Sequence, residues 1–135
     1  MKQTSTEHSE IVLRDDQVLE YRYRDGSMVD LTAARKMVET ALRLAGSAAP
    51  CPTVVVAGGV KAVTREAREF FAQSDENRSV SSCVALVVNS PVARVIGNFF
   101  MGLNKPRIPT RLFKSVEDAL PWLTEEHERQ VARSA

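Results

Sequence analysis

Two short, wholly apolar runs constrain the fold of this chain more than any other feature. The runs are TVVVA (53–57) and SCVALVVN (82–89), and a helical pattern that begins after Thr64 lies between them. Strands that are apolar on both faces are typical of a parallel sheet covered by helices. Parallel neighbours need a crossover connection, which is usually a helix. The chain is therefore predicted to contain a mostly parallel sheet with helical crossovers.

The remaining elements complete the order β-β-α-β-α-β-α-β-α. Two short strands around Asp15-Asp16 predict an antiparallel hairpin at the beginning. Apolar spacing and capping residues predict helices in the segments 29–46, 64–72, 90–106 and 115–130, and a last strand in the segment 108–113. The fold class is accordingly α/β, with a mixed sheet of four to five strands and about four helices.

Length and patterning predict one domain. A chain of 135 residues suits a single hydrophobic core. Residues 1–9 are polar and are predicted to form a flexible arm, residues 10–128 the domain, and residues 129–135 a C-terminal tail.

Charge and composition narrow the classes of function. Eighteen Lys and Arg against 17 Asp and Glu give a net charge of +1, which argues against nucleic-acid binding. The N-terminal ten residues lack the apolar core of a signal peptide, and no apolar run is long enough for a transmembrane segment. Two cysteines do not make a disulfide framework, so we expect a soluble protein of the reducing cytoplasm.

The turn that follows the first apolar strand resembles a phosphate-binding loop only in part. Gly58, Gly59 and Lys61 form GGVK, which has neither the spacing of GxxxxGK[ST] nor that of GxGxxG. The favoured interpretation is a sharp strand-to-helix corner, with Thr64 as an ordinary helix cap.

No other residues suggest a catalytic or metal site. His8 lies in the polar arm and His127 in a charged helix, without a motif around either. Cys51 and Cys83 are interpreted as small apolar residues, and the alternative is a redox pair if their strands are neighbours. We expect a non-enzyme without cofactor or metal.

The third helix carries more apolar surface than one sheet face requires. One stripe, expected to dock on the sheet, comprises Val92, Val95, Ile96, Phe99 and Leu103. A second stripe comprises Ala93, Gly97, Phe100 and Met101. The second stripe is predicted to contact either another helix of the same domain or a second copy of the chain, since symmetric dimers are the commonest assemblies.

A basic segment directly follows this helix and leads to an alternative function. It contains Lys105, Arg107, Arg111 and Lys114 without an acidic residue. The alternative is a carrier or sensor of a small apolar or anionic ligand, or a peripheral membrane contact. In that hypothesis Phe99, Phe100 and Met101 line the site, while Lys105, Arg107 and Arg111 contact the anion.

Residues 85–123, from ALVVNSP to ALPWL, resemble the SpoIIAA-like, or STAS, group, and most closely its small bacterial stand-alone proteins of unassigned function. The resemblance implies a mixed sheet with helices packed against it and a role through protein contacts. Family members that are switched by phosphorylation carry an Asp-Ser pair where this chain has AGGVKAVT (57–64), so that site is not transferred. Related folds include lipid carriers of the CRAL-TRIO kind.

Overall fold

The strands of the protein form two sheets. In the computed structural model, which describes residues 1–134, the strands are β1 (Lys2–Ser5), β2 (Ser9–Leu13), β3 (Leu19–Tyr23), β4 (Ser27–Val29), β5 (Cys51–Val56), β6 (Val60–Val63), β7 (Ser81–Val87) and β8 (Thr110–Phe113). The main sheet has the order β1-β2-β3-β5-β7-β8, and β4 pairs with β6 separately. The first three strands are antiparallel, and the pairs from β3 to β8 are parallel. The mixed sheet is as predicted, but over residues 1–134 it has six strands rather than four to five.

Helices cover both faces of the main sheet. They are α1 (Leu31–Ala45), α2 (Arg65–Gln73), α3 (Asp75–Val80), α4 (Pro91–Phe99) and α5 (Val116–Ser134), and a π-helical turn (Phe100–Asn104) directly continues α4. The helix α5 packs on one face through Ala119 and Leu123, while α1, α2 and α4 lie over the other face. This layering is the α/β architecture that the apolar strands predict.

The N-terminal segment differs from the predicted arm. Residues 2–5 form β1, which pairs antiparallel with β2 at the edge of the main sheet. The sequence KQTS contains no apolar residue, so no hydrophobic alternation reveals the strand. An edge strand is held mainly by backbone hydrogen bonds to one neighbour, and those do not depend on side-chain type. The amino group of Met1 also lies 2.6 Å from Asp15 Oδ1.

Two other predicted boundaries change. The polar segment 73–81, predicted as a loop, contains α3, whose first turn is capped by Ser74 Oγ accepting from the Asn77 amide at 3.1 Å. The predicted tail 129–135 continues α5 as far as Ser134, and Ala135 lies outside the described residues. Both segments consist mostly of polar residues, and such helices carry only a weak apolar period.

The Gly58-Gly59 turn is a close-packed corner between β5 and β6. The side chain of Asn89 fills the space that a Cβ on Gly58 would need, and a Cβ on Gly59 would lie 2.7 Å from Asp25 Oδ1. The Gly26 amide donates to the Gly59 carbonyl at 2.8 Å. Protein groups therefore occupy the space above the turn, which supports the interpretation as a corner. The sequence misses only that a strand, β6, comes before the helix capped by Thr64.

Candidate functional site

The helix α4 faces the sheet with a different side from the one predicted. Ala93 and Gly97 are buried, whereas Val92, Val95 and Phe99 are about half exposed. The prediction that the bulky stripe docks on the sheet is therefore wrong for all of its residues except Ile96, which packs against the cluster of Val88 and Ala93. Ala93 and Gly97 of the small stripe dock beside Ile96, and the other four residues of the bulky stripe face outward.

The reason for this orientation is the close approach of α4 to the end of the sheet. A Cβ on Gly97 would lie 3.0 Å from Val88 Cγ1 and 3.2 Å from Leu112 Cδ2. A larger residue at position 97 would need these neighbours to move. Small residues are thus needed where the helix comes closest to the sheet.

The outward-facing side of α4 forms a continuous apolar row, which we call the outer row. Its members and their exposed fractions are Val92 (47%), Val95 (53%), Phe99 (49%) and Leu103 (70%). Leu103 belongs to the π-helical turn and prolongs the row beyond the end of α4. Four neighbouring large apolar side chains in water are unusual enough to indicate a contact surface.

The residues predicted for an interface or ligand face are divided by this geometry. Ala93, Gly97 and Phe100 line a cavity inside the protein, while Phe99 belongs to the outer row. Met101 is half-buried in the π-helical turn. The structure therefore separates one predicted surface into an internal and an external part.

The internal part is a cavity between the main sheet and the helices, which we call the interlayer cavity. Its volume is about 80 Å³, and its floor is formed by β3, β5, β7 and β8. Its roof comes from α1, α2, α4 and the π-helical turn. Six apolar side chains of its wall remain only half-buried although they point between the layers: Val55, Val63, Phe71, Leu86, Ile96 and Phe100.

The opposite face of β5 and β7 is sealed. There Val54, Cys83 and Ala85 are fully buried under Ala119 and Leu123 of α5. Protein interiors are normally packed without voids larger than a water molecule. The incomplete packing is thus a property of one layer of this protein and marks that layer as a candidate site.

Two tyrosines of β3, Tyr21 and Tyr23, line the interlayer cavity. Burial raises the pKa of each hydroxyl above its ordinary value, so both remain neutral. Within residues 1–134, the hydroxyl of Tyr21 is a buried side-chain group without a hydrogen-bond partner. Such a group loses its hydrogen bonds to water without replacement, which costs about 1–3 kcal/mol.

Asn104 fastens the π-helical turn to α2 beside the cavity. Its Nδ2 donates to Glu69 Oε1 at 2.6 Å, and its Oδ1 accepts from Arg68 Nε at 3.2 Å. Its backbone carbonyl accepts from Gln73 Nε2 at 3.0 Å, and the residue is 5% exposed. Sequence reasoning misses this role because the three partners lie 31 to 36 positions away along the chain.

We expect Asn104→Ala to lower the free energy of unfolding by about 1–3 kcal/mol, because it removes two side-chain hydrogen bonds that contribute about 0.5–1.5 kcal/mol each. Urea unfolding followed by circular dichroism measures the change. Asn98→Ala, at an exposed position of α4, serves as the control and should stay within about 0.5 kcal/mol of the wild type. Equal stabilities of the two variants would show that the side-chain hydrogen bonds of Asn104 do not form in solution.

The three predicted anion contacts do not share one site. Arg107 Nη1 donates to the Gln73 carbonyl at 2.8 Å and lies 3.2 Å from Asp75 Oδ1. Arg111 lies over the ring of Phe113, whose side chain packs toward α5 rather than the cavity. Lys105 is exposed at the end of the π-helical turn.

The two cysteines lie on neighbouring strands but on opposite faces of the main sheet. Cys51 belongs to the cluster under α1, and Cys83 to the cluster under α5. Both are free and buried, and burial raises the pKa of each thiol, that of Cys83 to about 11. A disulfide needs side chains that point toward each other, so this geometry disfavours the redox-pair alternative.

An open groove beside β7 contains a serine–histidine contact. Ser82 Oγ and His127 Nδ1 are 2.7 Å apart, which ties α5 to the start of β7. Two arginines also line the groove, and Asp75 lies within 4.0 Å of Arg78 and 3.2 Å of Arg107. The two arginines of the groove thus share one nearby carboxylate, that of Asp75.

Within residues 1–134 there is no cluster of three or more His, Cys, Asp or Glu side chains suited to a metal ion. In the same residues, no helix has the length and hydropathy needed to cross a membrane.

The six-stranded mixed sheet with helices on both faces is a SpoIIAA-like fold. An uncharacterized protein of the DUF3478 family from Shewanella loihica PV-4, described as having that fold, matches with a TM-score of 0.54 and 14% identity, over 89% of this chain and 98% of that one. Residues 11–127 match the family described as a domain of unknown function, DUF7793, and the chain belongs to that family.

Two further comparisons do not indicate a function for the chain. A protein of unknown function from Arthrobacter sp. FB24 is 28% identical, with a TM-score of 0.33 over 84% of this chain and 97% of that one. None of the curated proteins compared with the chain is a significant match. The comparisons therefore support the SpoIIAA-like fold, while the likeness to STAS proteins in particular stays a resemblance.

Proposed function

We propose that the chain is a non-catalytic interaction module of the cytoplasm, with a regulatory role, and that it acts as a homodimer. The outer row of α4 carries this proposal, because four large apolar side chains remain exposed there in one line. Surfaces of this kind are typical of contacts with another protein or a membrane. The unpaired, buried cysteines fit a reducing compartment.

The spacing of the outer row favours another helix as its partner. Val92, Val95 and Phe99 are three and four positions apart, which is the spacing of a narrow helix–helix seam. Leu103 follows after four more positions. A second copy of α4 would present the same row, and a two-fold axis would bring the two rows together. The net charge of +1 leaves little repulsion between two copies.

A membrane is a poorer fit to the same helix. Interfacial helices combine a broad apolar face with many Lys and Arg residues on the polar face. Between residues 91 and 104 this chain has a single cation, Arg94. The alternative of a peripheral membrane contact therefore has less support than a homodimer.

The experiment compares two identical substitutions at equally exposed valines. Val95 in the outer row is 53% exposed, and Val131 in α5 is 54% exposed. We expect the wild type and Val131→Glu to be dimers in analytical ultracentrifugation, and Val95→Glu to be a monomer. A two-fold interface would place the new carboxylates close together, and like charges there cost several kcal/mol. The dimer should consequently dissociate at least about a hundredfold more readily.

Two outcomes would contradict the proposal. One is a wild type that stays monomeric at all concentrations. The other is an equal effect of the two valine substitutions on the dimer. Circular dichroism of each variant shows whether the monomer is still folded. A monomeric wild type that binds anionic vesicles at low salt, and loses this binding on Phe99→Glu, would favour the membrane contact instead.

A further inference from the structure

We propose that the open groove beside β7 binds a small organic molecule that carries a phosphate or carboxylate group. The groove is lined by residues of α3, β7 and α5 and of the segments that precede β5 and β8. Among residues 1–134, no residue of α4 contributes to it. The groove is therefore separate from the outer row, and the two surfaces can be tested independently.

The shape of the groove suits a molecule larger than a bare ion. Its volume is about 620 Å³, and small-molecule sites usually measure about 300–1,000 Å³. The last two turns of α5 extend beyond Leu123, and one face of them lines the groove with residues 127, 130, 131 and 134. This spacing of three and four positions places the four side chains on one side of the helix. The end of α5 thus forms a wall that stands opposite other parts of the chain.

Two neighbouring arginines give the groove an excess of positive charge. Arg78 and Arg107 both line it, and both lie near Asp75 Oδ1, so the two guanidinium groups are close together. One carboxylate does not balance two guanidinium charges. Among the lining residues within 1–134 there is no Asp or Glu. An anion in the groove would supply the missing negative charge.

The ion pairs with Asp75 leave the arginines available to a ligand. Arg78 Nη1 is 4.0 Å from Asp75 Oδ1, which is too far for a hydrogen bond. The side chain of Asp75 is 87% exposed, and water weakens an ion pair of this kind. Arg107 Nη1 also donates to the Gln73 carbonyl at 2.8 Å, which holds this guanidinium in place. A positioned guanidinium can donate two parallel hydrogen bonds to a phosphate or a carboxylate.

Uncharged polar side chains of the groove can complete the binding of the anion. Ser82 Oγ and His127 Nδ1 lie 2.7 Å apart, and both side chains line the groove. One mutual hydrogen bond fixes the two groups without exhausting them, because a hydroxyl and an imidazole each have further bonding positions. The oxygens of an anion can occupy these positions.

The apolar part of the lining indicates that the anionic group is attached to an organic body. Ile108 and Pro109 line the groove from the segment before β8, Ala49 and Pro50 from the segment before β5, and Val131 from α5. Val131 is 54% exposed. An apolar ring or chain placed against these residues would remove their surface from water, which is favourable.

Phenyl phosphate, benzoate and phenol form a matched set of probes, because they carry a phosphate, a carboxylate and an uncharged hydroxyl on the same ring. The full-length protein is titrated with each probe at neutral pH and low salt, where electrostatic effects are largest. Isothermal calorimetry gives the affinities, and two-dimensional amide NMR locates the site. We expect at least one of the two anions to bind with a dissociation constant below about 1 mM, and more tightly than phenol. The tighter of the two anions identifies the acidic group of the ligand.

Two arginine substitutions test the role of the charge. Arg78→Gln removes one of the two guanidinium groups and should weaken binding of the anion about tenfold, as expected for the loss of a charge-assisted hydrogen bond. Arg65→Gln removes the same charge at an exposed position of α2 outside the groove and should leave the affinity nearly unchanged. Equal affinities of the two variants would contradict the role of Arg78.

The two valine variants of the dimer experiment separate this proposal from the proposed homodimer. Val131→Glu places a carboxylate in the groove and should weaken anion binding at least about tenfold, because like charges repel. Val95→Glu should leave anion binding unchanged, whatever its effect on the dimer. The proposal is overturned if the folded wild type binds neither anion below about 1 mM, if phenol binds as tightly as the anions, or if the shifted amides lie outside α3, the start of β7, the segment before β8 and the end of α5.

Discussion

Replacing Leu123 by alanine is expected to lower the free energy of unfolding by about 2–5 kcal/mol, which is the usual cost of such a truncation in a core. Leu123 is fully buried where α5 packs on β5 and β7, in contact with the cluster that includes Val54 and Ala85. Small domains are typically stable by about 5–15 kcal/mol, so the loss would be a large share of the total. Urea unfolding monitored by Trp122 fluorescence and circular dichroism measures it.

Val131→Ala is the control for this truncation because it lies in the same helix but is 54% exposed. It should change the stability by less than about 0.5 kcal/mol. If Leu123→Ala cost no more than this control, α5 would not seal the sheet face in solution. The two faces of the sheet would then not differ in packing, although the structure shows one covered by α5 and the other with a cavity.

The second large effect is expected at alkaline pH. Burial raises the pKa of the Cys83 thiol from 9.0 to about 11 and also raises that of Cys51. The hydroxyl pKa values of Tyr21 and Tyr23 are raised by burial as well. The folded protein therefore retains protons that the unfolded chain releases, and stability falls as pH rises.

For Cys83 the sign and the pH range follow directly. Its contribution to stability is fully present below about pH 9 and is lost as the pH approaches and passes 11. One pKa unit corresponds to about 1.4 kcal/mol, so Cys83 alone accounts for a loss on the order of 2 kcal/mol by pH 11. Urea unfolding at intervals from pH 7 to pH 11 measures the decline.

Cys83→Ala tests whether this thiol contributes to the decline. The variant should be less stable than the wild type at pH 7, because a buried group is removed. The difference should shrink by about 2 kcal/mol at pH 11, because alanine has no proton to release. Parallel pH profiles for the two proteins would rule out the raised pKa of Cys83.

Much of the fold can be predicted from short stretches of the sequence. The apolar runs of β5 and β7 predict buried strands of a mostly parallel sheet, and in the structure the two strands are parallel neighbours that pair Thr53 with Val84. The caps at Thr64 and Ser90 also lie where the sequence places them, with amide hydrogen bonds of 3.2 Å to each side chain. These features depend on neighbours in the sequence or on one-dimensional apolar patterns.

The candidate sites could not be predicted in the same way. Both stripes of α4 have the apolar spacing of a docking face, so periodicity alone cannot choose between them. The choice depends on how closely the helix approaches Val88 and Leu112, which belong to other elements. The contact of Ser82 with His127 and the buried bonds of Asn104 likewise join residues far apart along the chain.

The sequence by itself determined the class of fold, the two buried strands at its centre and the residue types on α4. Only the tertiary structure decided which side of α4 is exposed, that Cys51 and Cys83 face opposite layers, and that the layer under α1, α2 and α4 encloses a cavity. The apolar period of a segment shows which of its side chains are buried, because the hydrophobic effect depends on the apolar area removed from water. It does not tell how closely two elements approach, because that distance depends on the side chains of both elements.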